Sequence, residues 1–199
     1  MTPEAAAAAA VRPRVEGDRE QEILDAALEV LADVGYDRLT MDAVAHRAKA
    51  SKATLYRRWN SKAKLVVEAL ARMKSVPAIP DTGDLRTDLL TAFCGMGGLT
   101  DHDTTATLGA VLTAVSTDQE FAQEFREQVV GPKAQVSRTV FERARDRGEL
   151  RDDVDLDMVV PALAGIVLHQ VFLYGAIPDD TLIERAVDQV ILPAVRPQR

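Results

Sequence analysis

Two helix-capping residues, Thr40 and Ser51, stand so close together that they decide much of what lies around them. Thr40 precedes Met41-Asp42-Ala43-Val44-Ala45-His46-Arg47-Ala48, a short helix for which its hydroxyl is a good N-cap. Ser51 caps the next helix, which begins at Lys52. Only Lys49 and Ala50 separate the two, too few residues for an antiparallel return, so the helices must cross at a steep angle. That is the geometry of a helix-turn-helix, here residues 40–59.

The flanking pattern completes a small head over residues 17–77. Ile23, Ala27, Val30, Leu31 and Val34 fall on one face of a helix that Gly35 should end. In the second helix of the motif Leu55 and Trp59, at i and i+4, face inward, which leaves Lys52, Ala53, Tyr56 and Arg57 outward. Ser61 caps a further helix with an apolar stripe of Leu65, Val66, Ala69, Leu70 and Met73. Residues 1–16 show no apolar periodicity and are expected to be a disordered tail. "SVPAIPDTGD", residues 75–84, has two prolines and a glycine and reads as the connection to a second unit, 84–197.

No convincing strand follows, so the fold class is all-α: a three-helix head with its helix-turn-helix, then an α-helical bundle. The periodicity predicts helices near 84–98, 103–116, 118–147, 155–174 and 180–195, the third kinked at Gly131-Pro132. Helix 155–174 has almost no polar face, and a bundle this short has too few neighbours to cover it. Self-association through this helix and the stripe Ile183, Ala186, Val187, Val190 and Ile191 is the expected remedy.

Charge locates the partner. The chain carries a net charge of -7, yet residues 43–65 hold seven lysines and arginines and no acid. An acid there would meet phosphate at close range, whereas Lys and Arg displace condensed counterions, so double-stranded DNA is the expected partner. For Arg58 an intramolecular ion pair and a DNA contact are both open. Arg12 and Arg14 read either as a minor-groove arm or as part of a tail without a role.

At Gly35-Tyr36, Leu39-Thr40, Val44-Ala45, Ala48, Ser51-Lys52-Ala53-Thr54-Leu55-Tyr56, Trp59 and Ser61-Lys62 the sequence resembles the TetR (tetracycline repressor) family of bacterial regulators. The resemblance covers residues 17–77 in register. It implies a homodimer that binds a palindrome-like operator and is released by a small molecule held in the C-terminal unit, a repressor more often than an activator. It places Thr40, Thr54, Tyr56 and Lys62 on phosphates and Lys52, Ala53 and Arg57 on base edges, with Ser51 in the same DNA-binding set. One departure stands in the turn, where the family usually has glycine and this chain has Lys49, which would need a positive φ.

The C-terminal unit gives fewer signals. Phe93, Met96, Phe125, His169 and Phe172 are the candidate effector contacts. For His169 and Gln170, inside an apolar helix, core or interface hydrogen bonds compete with that role. "FCGMGG", residues 93–98, reads either as a frayed helix end or as room for a ligand. The three histidines are far apart and Cys94 has no base near it in sequence, so no enzyme, metal or cofactor is expected. With no basic start before an apolar run and no 20-residue apolar segment, the expected place is the cytoplasm, away from membranes. A nonspecific or architectural DNA-binding protein is the rival reading.

Overall fold

The computed structural model describes residues 16–73, 78–95, 102–176 and 179–197, and among these there is no strand. α1 (Glu16–Arg38) is long because Ile23, Leu24, Ala27, Val30 and Leu31 give it a continuous buried stripe. At Gly35 the backbone swings to φ 75° and ψ 167° before one more turn through Arg38, so the first helix breaks at the expected glycine. α2 (Met41–Arg47), α3 (Lys52–Trp59) and α4 (Lys62–Met73) complete the head.

Beyond the connection lie α5 (Leu85–Gly95), α6 (His102–Thr117) and α7 (Gln119–Phe125), then α8 (Gly131–Asp146), α9 (Leu156–Val159), α10 (Ala162–Tyr174), α11 (Asp180–Ala186) and α12 (Leu192–Val195). The kink expected at Gly131-Pro132 takes the form of a π-turn segment, Arg126–Val130, between α7 and α8. A second one, Val187–Ile191, joins α11 to α12 just ahead of Pro193. Proline has no N–H for the i−4 carbonyl, and the wider turn before it relieves the clash of its ring with that carbonyl. The helix expected over 155–174 is interrupted at Val160-Pro161 for the same want of an N–H, which leaves α9 as a single turn.

Apolar packing does not divide at the connection. One core joins Leu24, Leu55, Trp59 and Val66 of the head to Val111 and Ala114 of α6, Phe121 of α7 and Val129. α1 packs along α6, and α4 packs on α7, so the head is seated on the second unit rather than tethered to it. The other core gathers Leu85 and Leu89 of α5, Val140, Phe141 and Ala144 of α8, Leu163 of α10 and the inner side chains from Ala186 to Val195. α5 is fixed against α8 at one end by Glu149, whose carboxylate accepts the Leu85 N–H at 3.0 Å. Buried Asp88 holds the incoming chain by accepting from the Thr82 N–H at 2.7 Å and the Thr82 hydroxyl at 2.8 Å.

α10 is the exception to this closure. Leu163, Val167 and Val171 are buried, but Leu173 and Tyr174 are 71% and 72% exposed, and Met158 just before it is 71% exposed. The stretch Leu156–Tyr174 has a mean hydropathy of 1.8, long and apolar enough by composition to cross a membrane, yet it sits in the bundle with one side packed and the other open.

Candidate nucleic-acid interface

The turn between α2 and α3 is built by backbone bonds that the sequence permits only with some strain. Ala50 N–H donates to the Ala45 carbonyl at 2.8 Å and Lys49 N–H to that of His46 at 3.1 Å, the paired bonds of a Schellman ending. Lys49 takes the left-handed position, φ 50°. Arg19 of α1 closes the turn from outside, its guanidinium donating to the Lys49 carbonyl at 2.6 Å. Both expected caps are present: the Thr40 hydroxyl oxygen accepts from Ala43 N–H at 3.1 Å and that of Ser51 from Thr54 N–H at 3.1 Å.

These bonds set α3 with Leu55 and Trp59 buried and Ser51, Lys52, Ala53, Tyr56 and Arg57 exposed on one outer surface, Thr54 half-buried at its edge. The Ser51 and Thr54 hydroxyls lie 2.7 Å apart, so one donates to the other. Lys52 is 2.8 Å from Asp42 and 5.7 Å over the Tyr56 ring, and the hydrogen bond to Asp42 raises its pKa.

The cations of the acid-free stretch have very different surroundings. Arg47 binds Glu29 at 3.0 Å and Asp33 at 2.7 Å, both on α1. Arg58 binds Glu20 at 2.9 Å and Glu68 at 3.2 Å within a network that also holds Arg72, and Glu68 accepts the Trp59 indole N–H at 2.7 Å. Of the two readings open for Arg58, the intramolecular ion pair is present in the structure. Lys64 reaches Glu124 at 3.6 Å. Lys62 does not stand free either: its ammonium is 3.0 Å from the Tyr36 carbonyl, 3.5 Å from that of Leu39, and 4.2 Å over the Tyr36 ring. Only Arg57 and Lys49 have no side-chain partner among the described residues.

A second cluster was not visible in the sequence. The Tyr36 hydroxyl donates to Asp118 at 2.7 Å, and its ring meets Phe121 edge-on at 4.7 Å, with Phe125 stacked on Phe121 at 5.8 Å. Ser61, at the start of α4, donates to Glu120 at 2.8 Å. With Lys64 on Glu124, all three carboxylates of this stretch, Asp118, Glu120 and Glu124, are held by head side chains. Burial, helped by the Asp118 carboxylate, pushes the Tyr36 phenol well above its usual range. The Phe121 N–H that Asp118 caps, followed by the Tyr36 hydroxyl, holds the Asp118 carboxyl below the usual range. "TDQEF" announces Asp118 as an N-cap, but no local signal names a tyrosine 82 residues away as its partner.

The candidate effector contacts are not brought into one place. Phe93 packs with the second core and Phe125 with the first, while His169 is exposed, 5.4 Å from the Tyr174 ring. Phe172 lies against Gly109 of α6. Met96 lies outside the described residues, as do Arg12 and Arg14. Two open grooves occur among the described residues, one of about 390 Å³ bordered by Arg19, Glu22, Glu29 and Arg47, the other of about 440 Å³ by Arg86, Asp188 and Arg196. Both are open surface features rather than enclosed chambers.

A doubly capped helix pair closed by a tight turn, with an outward basic helix and carried on an all-helical body, defines the class as a helix-turn-helix DNA-binding regulator. Residues 23–69 match the model of the bacterial regulatory proteins of the tetR family, and residues 79–190 that of the tetracyclin repressor-like C-terminal domain. The chain belongs to the TetR family of transcription regulators. It is 36% identical over 181 residues to an uncharacterized HTH-type transcriptional regulator of Mycobacterium tuberculosis, covering 89% of this chain and 88% of that one. It is also 36% identical over 182 residues to a DNA-binding transcriptional repressor of Mycobacteroides abscessus, covering 90% and 95%. A solved TetR-family regulator superposes with a TM-score of 0.68 at 29% identity, over 90% of this chain and all 100% of the other. A flavonoid-responsive regulator shares the fold with a TM-score of 0.63 at 22% identity, over 92% and 100%.

Proposed function

We propose that the chain is a cytoplasmic homodimeric repressor that holds a palindrome-like operator with two copies of α3 and lets go when a small molecule occupies the C-terminal unit. The observation that carries this reading is Arg57. On the outward face of α3, among cations that are otherwise tied to acids or carbonyls, it keeps all its donors for a base edge. Guanine is the natural target of that planar fork. Lys52 and Ala53 flank it, the small Ala53 letting the helix approach closely. The cap hydroxyl of Thr40 accepts from the backbone and still has its own proton to give to a phosphate. One proton of the Ser51–Thr54 pair is likewise left over, and the Tyr56 hydroxyl lies at the same surface. Lys62 has three donors and spends two on carbonyls, so it serves the phosphate and the head together.

The head covers residues 17–77 and the effector and dimer unit 84–197, with α7 joining them. A shift of α7 on effector binding would move the start of α4 through Ser61 and Lys64, and with it the separation of the two α3 helices. A body with different effector affinity in the two arrangements needs nothing more to regulate. Resemblance to a named repressor over nearly the whole chain favours repression.

Binding titrations at several salt concentrations, on a selected site and a scrambled one, test this. Arg57→Ala should cost about 1–3 kcal/mol on the selected site and relax preference at one or two base pairs. Lys62→Ala should weaken both sites alike and make the slope of log K against log salt shallower by about 1 per subunit. A wild-type chain that loses its preferred site to bulk genomic DNA is a nonspecific binder, and the reading fails.

A further inference from the structure

One acid lies inside the helix-turn-helix. Between Arg38 and Glu68 the sequence has a single carboxylate, Asp42, in the first turn of α2. Its partner is Lys52 at the start of α3, whose ammonium stands 2.8 Å from Oδ1 and 3.0 Å from Oδ2. The two side chains are 57% and 64% exposed, and an ion pair in that setting adds little to folding. It also bridges helices that the turn at Lys49 and Ala50 already joins. The pairing of Arg58 with Glu20 and Glu68 differs, since it ties α3 to α1 and α4, and Glu68 also accepts the Trp59 indole N–H.

The pair matters for the surface that α3 turns outward. Lys52 and Arg57 both stand there and are held differently: Arg57 has no side-chain partner among the described residues, while Lys52 is fastened to both oxygens of one carboxylate. A lysine ammonium is a compact charge on a flexible stem, and left free it settles on the phosphates of any sequence. Held by Asp42 it keeps one of its three donors, fixed in place 5.7 Å over the Tyr56 ring. A single donor in a fixed place suits a base acceptor such as guanine O6 or N7 at one position of a site. The carboxylate beside it repels phosphate wherever the ammonium does not stand between them.

We propose that Asp42 is a positioning residue for operator choice: it withholds Lys52 from phosphates and so raises the preference for the operator over other DNA. Discrimination grows as much from an element that penalises the wrong partner as from one that rewards the right one. On a matched site the pair stays closed and Lys52 gives its remaining donor to the base. On other sequences the pair must open for Lys52 to reach a phosphate, and a bare carboxylate is then left facing the DNA backbone. This rests on the reading of α3 as the operator-binding helix and adds how one of its base readers is kept selective.

The test uses the full chain and two duplexes, a site selected by wild type from random DNA and its scrambled counterpart. Both are titrated at several salt concentrations with wild type, Asp42→Asn, Lys52→Ala and the double variant. Asp42→Asn should bind the scrambled duplex about three- to tenfold more tightly at low salt, with a slope of log K against log salt steeper by about 1 per subunit, because Lys52 is released to a phosphate. The selected site should gain less, so the ratio of the two affinities should fall about threefold or more. A merely structural Asp42 would steepen no slope, and its loss would weaken both duplexes alike. With Lys52→Ala already in place, Asp42→Asn should leave the ratio unchanged. The inference is overturned if Asp42→Asn keeps or raises the wild-type ratio, or if the slope on the scrambled duplex does not steepen. It is also overturned if the ratio falls as far without Lys52, which would make Asp42 itself the base contact. A wild type that prefers its selected site, with that preference intact in Asp42→Asn, refutes this inference alone. A wild type with no preferred site refutes the regulatory reading, and this inference falls with it.

Discussion

The last turns of α3 and of α10 present opposite solutions to the same need. α3 ends on Trp59, 2% exposed, its indole N–H bonded to Glu68, and the rest of its inner face is Leu55 at 0%. α10 ends on Leu173 and Tyr174, both more than 70% exposed, in a helix with no charged residue at all. The head completes its core with its own residues and with α6 and α7. The far side of the bundle leaves apolar surface that burial by a second copy would remove from water. A short polar helix can thus be finished within one chain, whereas an apolar one at the edge of the same chain needs an outside partner.

The largest expected effect separates inner from outer apolar residues on this side. Val187 is 0% exposed, inside the second core, so Val187→Asp buries an unpaired charge and should cost roughly 4 kcal/mol or more of folding stability. Leu173→Asp places the same charge on the open face. It should leave each protomer folded by circular dichroism but convert the expected dimer to a monomer, as read by light scattering. If Leu173→Asp remains dimeric at micromolar concentration, the open face is not where two copies meet, and the contrast with α3 needs another explanation.

How well each region could be read from the sequence follows the range of its interactions. Thr40, Ser51, Gly35 and the Leu55/Trp59 spacing act within one turn, and each was found where local chemistry put it. The acid-free stretch was legible as a string of residues but not as a field. The acids that neutralise Arg47 and Arg58 sit on α1 and α4, outside the window, and no period links them to their partners. Gly131-Pro132 gave the place of a distortion but not its π form, which depends on how the chain before it can unwind. Residue type alone marks the candidate effector contacts in the sequence, and it does not show that Phe93 and Phe125 belong to different cores.

A smaller effect is expected at the joint between the two halves. Asp118 caps α7 and accepts from Tyr36, and its pKa lies below the value of 3.8 that it has when free. A lowered carboxylate pKa means that the stabilisation is present above about pH 4 and is lost as the pH falls through the folded-state value. Asp118→Asn should therefore cost about 1 kcal/mol at pH 7, with the deficit fading in acid. Denaturant titrations between pH 3 and 7 read this directly. A deficit that stays constant over the range would show that packing at α7, not its carboxylate, joins head to body.

The smallest effect compares two turns with one geometry. Gly148 N–H bonds the Arg145 carbonyl at 2.9 Å and Glu149 N–H that of Ala144 at 3.0 Å, the same pairing as Lys49 and Ala50 make with His46 and Ala45. Gly148 has φ 76° without a side chain to resist it, whereas Lys49 holds φ 50° with one. The left-handed conformation costs an L-residue about 1–2 kcal/mol, and glycine gives back about 0.5–1 through the entropy of its unfolded chain. Lys49→Gly should thus stabilise the head by about 0.5–1 kcal/mol net, and Gly148→Lys should destabilise the body by a similar amount, both measured as shifts in denaturant midpoint at constant slope. The exchange also asks why a lysine stands in the strained position. Among the described residues Lys49 is one of two cations in the basic stretch with no side-chain partner, so in the regulatory reading its charge lies beside the DNA. Lys49→Gly should then gain stability while binding all DNA sequences less tightly at low salt, the deficit closing as salt rises. If stability rises and DNA affinity is unchanged at every salt concentration, the lysine contributes nothing at the interface and the strain in the turn has no functional return.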